Sequence, residues 1–169
     1  MTSTPPTSSS TTSPTTVMVC TDGSDHGIAA IAAGLPRLAT HERTVLVTVL
    51  DPPDESLVTG VSGFGAGSLT PEQYDELDRQ RRDEAAELLA ETARRTGLTG
   101  AETLLLEGAP GPTICDMAEE LGAHVIVMGS SGHGGLRRAV LGSVSDHVVR
   151  HAPCPVLITN VHDHAPDPA

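Results

Sequence analysis

Apolar residues along this chain gather in five short runs: 17–21, 44–50, 102–107, 125–128 and 156–159. Each run is apolar or β-branched nearly throughout, which predicts strands buried on both faces and not the alternation of a half-exposed hairpin. The segments between them change period. Ser24 is placed to cap an alanine-rich helix from His26 to about Leu38, with Pro36 bending or ending it. Thr70-Pro71-Glu72 offers a cap, a proline for the first position and an acid for the first turn of a helix that runs to about Thr96 and stops at Gly97. On it Leu77, Ala85, Leu88, Leu89 and Ala93 fall near one face. Residues 112–121, ended by Gly122, and 144–151 predict two further helices. Strand and helix thus alternate, and the expected fold class is α/β: a doubly wound parallel sheet with helices on both faces and right-handed crossovers. The last strand, entered through Pro153-Cys154-Pro155, is expected at a sheet edge, open to pairing with another chain.

The ends depart from this pattern. Residues 1–16 are almost wholly Thr, Ser and Pro and bury too little apolar surface to offset their ordering entropy, so a disordered tail is expected there. Residues 161–169 are polar and proline-containing and are expected to fray, leaving 17–160 as one domain. Within it, residues 51–69 carry two prolines and four glycines and read as a long loop.

Composition narrows the picture further. Phe64 and Tyr74 are the only aromatics, so the core must be built from Val, Leu, Ile and Ala. The formal net charge of −12 argues against affinity for nucleic acid, whose phosphates would repel the chain. Cys20, Cys115 and Cys154 are odd in number, widely spaced and lack a C-x-x-C pair, which suits reduced packing residues in a cytoplasmic protein. No apolar run is long enough to cross a bilayer, and the first residues lack the basic start and apolar centre of a signal peptide.

Candidate chemistry sits at two strand ends. After the fourth run comes Gly129-Ser130-Ser131-Gly132, nine residues, then Gly142-Ser143 at a helix start. Glycines admit an anion to bare backbone N–H groups, and the helix dipole favours it there. The spacing matches neither the Walker loop nor the dinucleotide fingerprint. After the first run comes Cys20-Thr21-Asp22-Gly23-Ser24. Asp22 has two readings: it caps the first helix with Ser24, or its carboxylate accepts hydrogen bonds from ribose hydroxyls or an exocyclic amine. Open parallel sheets take ligands at the carboxyl ends of strands, where the strand order reverses. Arg137 and Arg138 within the nine-residue stretch either neutralise phosphate or face water, and the same two readings hold for His133. His147 and His151, four apart, read as surface histidines, because no third ligand is placed and Arg150 repels a cation. Charges three and four apart on the long helix read as a solvated face.

The glycine pattern, the flanking 148–157 stretch Val-Val-Arg-His-Ala-Pro-Cys-Pro-Val-Leu and the opening 17–24 Val-Met-Val-Cys-Thr-Asp-Gly-Ser together resemble the universal stress protein family, in its ATP-binding branch. The resemblance covers about residues 17–159. It implies a five-stranded sheet in order 3-2-1-4-5 and an adenine nucleotide, ATP, in a site that includes Cys20 and Thr21. Asp22 would meet the adenosine end and Val49 the adenine; Met128 and Gly129 would lie under the sugar and phosphates. Gly132, Gly142, Ser143, Val144 and Ser145 would wrap the phosphate chain, with hydroxyls of Ser143 and Ser145 as donors. A magnesium or manganese ion on the phosphates accords with triphosphate chemistry, although no carboxylate pair stands out for it. A homodimer through Val156, Leu157 and Ile158 of the last strand is implied as well.

Taken together, the expected role is a cytoplasmic ATP-binding stress-response regulator, with at most slow hydrolysis. The chain has no lysine to reach a transferring phosphate and no evident base to activate water. A nucleotidyl-transferring or ATP-splitting enzyme on the same sheet, and a partner-binding module without obligatory ATP, are the competing classes.

Overall fold

The computed structural model describes residues 15–38, 41–51, 70–130 and 141–160. Strands β1 (Thr16–Cys20), β2 (Arg43–Leu50), β3 (Glu102–Glu107), β4 (Val125–Gly129) and β5 (Val156–Thr159) form one sheet in order β3-β2-β1-β4-β5. All four neighbouring pairs are parallel, as the doubly wound expectation requires. Among the described residues four helices cover the sheet: α1 (Asp25–Gly34), α2 (Pro71–Thr96), α3 (Pro110–Glu120) and α4 (Ser143–His151). None is long and apolar enough to cross a membrane. The expected tails at 1–14 and 161–169 and the expected loop at 52–69 lie outside the described residues, as do Ser131, Gly132, His133, Arg137 and Arg138.

Continuous apolar strands make sense once both faces are seen. Met18, Cys20, Val45, Val47, Ile126 and Met128 point to one side and pack with Ile114, Cys115, Ala118 and Val148 of α3 and α4. Val17, Val19, Leu46 and Val127 point to the other, against Ile31 of α1 and Leu89 and Ala93 of α2. Each fully buried side chain of this kind contributes about 1.5–3 kcal/mol, so the two half-cores together hold the sheet.

Element ends follow local chemistry. In α2, Thr70 Oγ1 accepts from Gln73 N at 3.3 Å while Gln73 Oε1 accepts from Thr70 N at 2.9 Å, a reciprocal capping box followed by Pro71. Gly97 closes the helix in the left-handed conformation at φ 77°. Several expected bounds shift by a residue or more. Strand β1 covers 16–20 and not 17–21, because the buried Thr16 backbone is bonded to His124: its O accepts from His124 N, and its N–H donates to the His124 ring at Nδ1. Helix α1 ends at Gly34 and passes into a 3-10 turn, Leu35–Arg37, which accommodates Pro36.

The charged face of α2 is not all solvent decoration. Arg82 pairs with Asp78 one turn before it and reaches Glu107 at the end of β3, while Arg81 donates to Asp51 O at 2.5 Å. These contacts tie the helix to the carboxyl ends of β2 and β3, although exposed pairs of this kind are each worth only about 0–1 kcal/mol. Leu77, expected on the buried face, is 37% exposed near the start of the helix, and burial on α2 begins at Ala85.

Thr92 lies on that buried stripe, fully enclosed, and its hydroxyl finds no hydrogen-bond partner among the described residues. Burying an unsatisfied hydroxyl costs about 1–3 kcal/mol. Thr92→Val keeps the shape and removes the polar atom, so urea denaturation should show stability unchanged or raised by about 1 kcal/mol. A loss of that size would mean the hydroxyl is bonded after all.

Candidate functional site

Both β1 and β2 lead into helices on one face, whereas β3 and β4 lead into helices on the other. Since β1 and β4 are neighbours, the chain leaves them in opposite directions, and a crevice opens beyond their carboxyl ends. The described candidate residues from the sequence gather along this edge. Cys20 is the last residue of β1 and pairs with Val47 and Met128. Thr21 continues by donating its N–H to Val47 O at 3.0 Å, while Thr48 Oγ1 donates to Thr21 O at 2.9 Å. Strand β2 then runs past the end of β1, so the peptide groups of Val49, which face the same way as those of Val47, lie beside the crevice.

The turn after β1 is held by its own polar side chains. Asp22 Oδ1 accepts from Ser24 N at 3.1 Å and from Ser24 Oγ at 2.8 Å, and Ser24 Oγ accepts from Gly27 N at 3.1 Å to cap α1. The capping reading of Asp22 is therefore realised, and the carboxylate stands at the crevice edge while performing it. Gly23 permits the turn: its φ is 75°, and a Cβ there would run into Leu88 of α2.

Across the crevice, β4 ends at Gly129, paired with Thr159, and α4 begins at Ser143 with Gly142 as its cap residue. Among the described residues no side chain caps this helix, and its first internal bond runs from Asp146 N to Gly142 O at 2.8 Å. The N–H groups of Ser143, Val144 and Ser145 thus belong to the open first turn, the arrangement that receives an anion. One expectation changes in kind: the Ser145 hydroxyl is buried and donates to Gly129 O at 3.0 Å, so Ser145 offers its amide and not its hydroxyl. Asp146 would oppose an anion nearby, but Arg150 binds both its oxygens at 2.9 Å and holds its carboxyl below the usual range.

The histidine pair on α4 has a different geometry from a chelate. The rings of His147 and His151 stack with centroids 4.3 Å apart, and His151 Nδ1 donates to His147 O at 2.8 Å. All three cysteines are free thiols of one half-core. Burial, with Cys115 and Cys154 close by, pushes the Cys20 thiol up to about 12, and burial raises the other two as well.

The fold and its edge thus define an open doubly wound α/β protein whose polar groups converge at the strand-order reversal. The sequence pattern of the universal stress protein family matches residues 14–160. Universal stress protein YxiE of Bacillus subtilis is 33% identical over 144 residues, covering 84% of this chain and 96% of that one. A relative from Staphylococcus haemolyticus is 39% identical over 92 residues, and there the match spans 54% of this chain and 56% of that relative. The chain belongs to the universal stress protein family. Among solved structures, that of MJ0577 superimposes with a TM-score of 0.64 at 23% identity, over 88% of this chain and 97% of the other. A universal stress protein in complex with cAMP gives 0.54 at 23% identity, over 89% and 100%. A family protein from Arabidopsis thaliana with AMP bound gives 0.55 at 22% identity, over 91% and 97%.

Thiol chemistry offers a check on this edge. A thiol near pKa 12 is less than about one part in a thousand ionised at pH 8, and the thiolate is the reactive form. In native protein at pH 8, iodoacetamide followed by peptide mass mapping should label half-buried Cys154 first and leave Cys20 unmodified, with all three labelled in urea. Rapid labelling of native Cys20 would contradict the packing of the β1 end.

Proposed function

We propose that this protein binds an adenine nucleotide at the β1–β4 crevice, that ATP is its ligand, and that it acts as a cytoplasmic stress-response regulator. The observation that carries the reading is the placement of the open first turn of α4 across the crevice from Asp22, with the backbone of Val49 alongside. Support also comes from two proteins of the same fold whose structures hold cAMP and AMP.

In this reading Cys20 and Thr21 floor the site, Asp22 takes the adenosine end, and Val49 meets the base through its peptide groups. Met128 and Gly129 underlie the sugar and phosphates, while Gly142 and the amides of Ser143, Val144 and Ser145 receive the phosphate chain together with Gly132, which lies outside the described residues. Among the described residues no group of three or more His, Cys, Asp or Glu side chains forms a metal site, so a magnesium or manganese ion would ride on the phosphates. The same reading joins two copies along the open edge of β5 at Val156, Leu157 and Ile158, since an edge strand presents unpaired backbone donors and acceptors.

Saturating ATP should raise the melting temperature, corresponding to about 2.7 kcal/mol at a hundredfold excess over Kd. The backbone at Gly142 is extended, φ −63° and ψ 159°, which any residue adopts, so Gly142→Val should fold yet lose ATP affinity at least about tenfold by calorimetry, its side chain standing in the path of the anion. Unchanged affinity would move the phosphates elsewhere. For the dimer, sedimentation should report two copies for the natural chain and one for Leu157→Glu; a natural chain sedimenting as a monomer would remove that element.

A further inference from the structure

Three consecutive carbonyl oxygens at the end of β4 each receive a donor from elsewhere in the fold. Thr159 Oγ1 donates to Met128 O at 3.3 Å, Ser145 Oγ to Gly129 O at 3.0 Å, and Gly142 N to Ser130 O at 2.9 Å. Thr159 also takes Ser130 N through its own carbonyl, at 3.0 Å. Both hydroxyl-bearing residues are more than nine-tenths buried, Ser145 being 4% exposed and Thr159 8%. Neither is on a common element: one sits on the first turn of α4, the other at the end of the edge strand β5.

Direction matters here. Met128 O faces β5, so by the alternation of the pleat Gly129 O turns to the opposite side, toward the crevice between β4 and β1. A bare carbonyl oxygen there would present partial negative charge to whatever binds. Tying it to Ser145 removes a repulsive group that glycine, with no side chain, has no means of covering. Thr159 grips the peptides on either side of Gly129 and so sets the twist at which Gly129 O meets Ser145.

The fold also fixes the Thr159 rotamer. Gly34, buried at the end of α1, lies against the Thr159 methyl, and a Cβ at position 34 would collide with it. A rotation of Thr159 about χ1 relieves that collision and swings its hydroxyl away from Met128 O. The absence of a side chain on one helix therefore orients a donor on a strand, which in turn orients a carbonyl on a second strand.

Resting on the nucleotide reading above, we infer that Ser145 and Thr159 are positioning residues for its phosphate end: the Ser145 hydroxyl occupies Gly129 O, the β4-terminal carbonyl that turns to the crevice, and Thr159, gripping the peptides on either side, holds that carbonyl in its direction, so that amides, and not a carbonyl, face the polyanion. Adenosine lacks the polyanion and is indifferent to this arrangement. The test is calorimetric titration of the full chain with ATP and with adenosine. The natural chain should bind ATP more tightly than adenosine. Thr159→Val should lower ATP affinity about tenfold, the worth of one net hydrogen bond, and leave adenosine affinity in place. Thr159→Ser retains the hydroxyl and should restore the ATP-to-adenosine ratio, Gly34→Ala should reproduce the Thr159→Val ratio without touching Thr159, and Ser145→Ala should weaken ATP by a similar factor. An unchanged ratio in Thr159→Val and Ser145→Ala overturns the inference, as does an equal loss of both ligands, which signals general damage. Should Thr159→Val fail to fold, Gly34→Ala and Ser145→Ala decide by the same ratio. A natural chain that binds ATP no better than adenosine refutes the phosphate site itself, and the inference falls with it.

Discussion

Everything in this molecule depends on one constraint: a parallel sheet of aliphatic strands must bury both of its faces under helices. The Val, Leu, Ile and Met side chains of the strands divide between two half-cores, one under α1 and α2 and the other under α3 and α4. Covering both faces forces the chain to reverse its direction of travel across the sheet, and the reversal falls between β1 and β4. The crevice follows from the core, before any site residue is considered. Two strand ends that must send their chains to opposite faces cannot close over the gap between them.

What makes the crevice chemically specific is how backbone polarity is managed at its rim. A strand end and a helix start leave peptide groups unpaired, and buried ones must find partners. Along this edge hydroxyls perform the task repeatedly: Thr48 covers Thr21 O, Ser24 covers Gly27 N, Ser145 covers Gly129 O and Thr159 covers Met128 O. Three of these four cover carbonyls. Among the described residues no hydroxyl covers the donors of the first turn of α4 in the same way. The rim therefore leans toward hydrogen-bond donation, in a chain whose formal charge of −12 would otherwise repel anions. Arg150, by holding Asp146, moderates the one carboxylate on that turn of α4.

Most of the fold was legible because its signals are local or periodic. Strand positions followed from apolar runs, and the ends of α2 from Thr70, Pro71 and Gly97, whose capping chemistry acts over three or four residues. The strand order, and with it the reversal between β1 and β4, came from the family resemblance, while the glycine pattern and the Asp22 turn directed attention to the ends of these two strands. Less legible was anything that depends on residues distant in sequence. Nothing near position 34 indicates that its glycine exists to seat the methyl of Thr159, and nothing near position 145 shows that its hydroxyl turns inward to Gly129. Thr16 looked like tail because it follows fifteen residues of polar sequence, yet His124 pairs with it across the sheet. Leu77 looked like core because periodicity reports a face and not the point along a long helix where the sheet begins to cover it. In the same way, Arg81 and Arg82 show helical spacing to nearby acids, while their contacts with Asp51 and Glu107 bridge elements.

The central claim is that the amides opening α4 receive the phosphates of an adenine nucleotide. Amide chemical shifts followed by heteronuclear NMR during an ATP titration address it at the atoms concerned. The largest displacements are expected at the N–H resonances of Ser143, Val144 and Ser145, with smaller ones at Asp22 and Val49, and much weaker α4 responses with adenosine. Displacements confined to another part of the surface, or an α4 terminus unmoved while ATP binds, would contradict it.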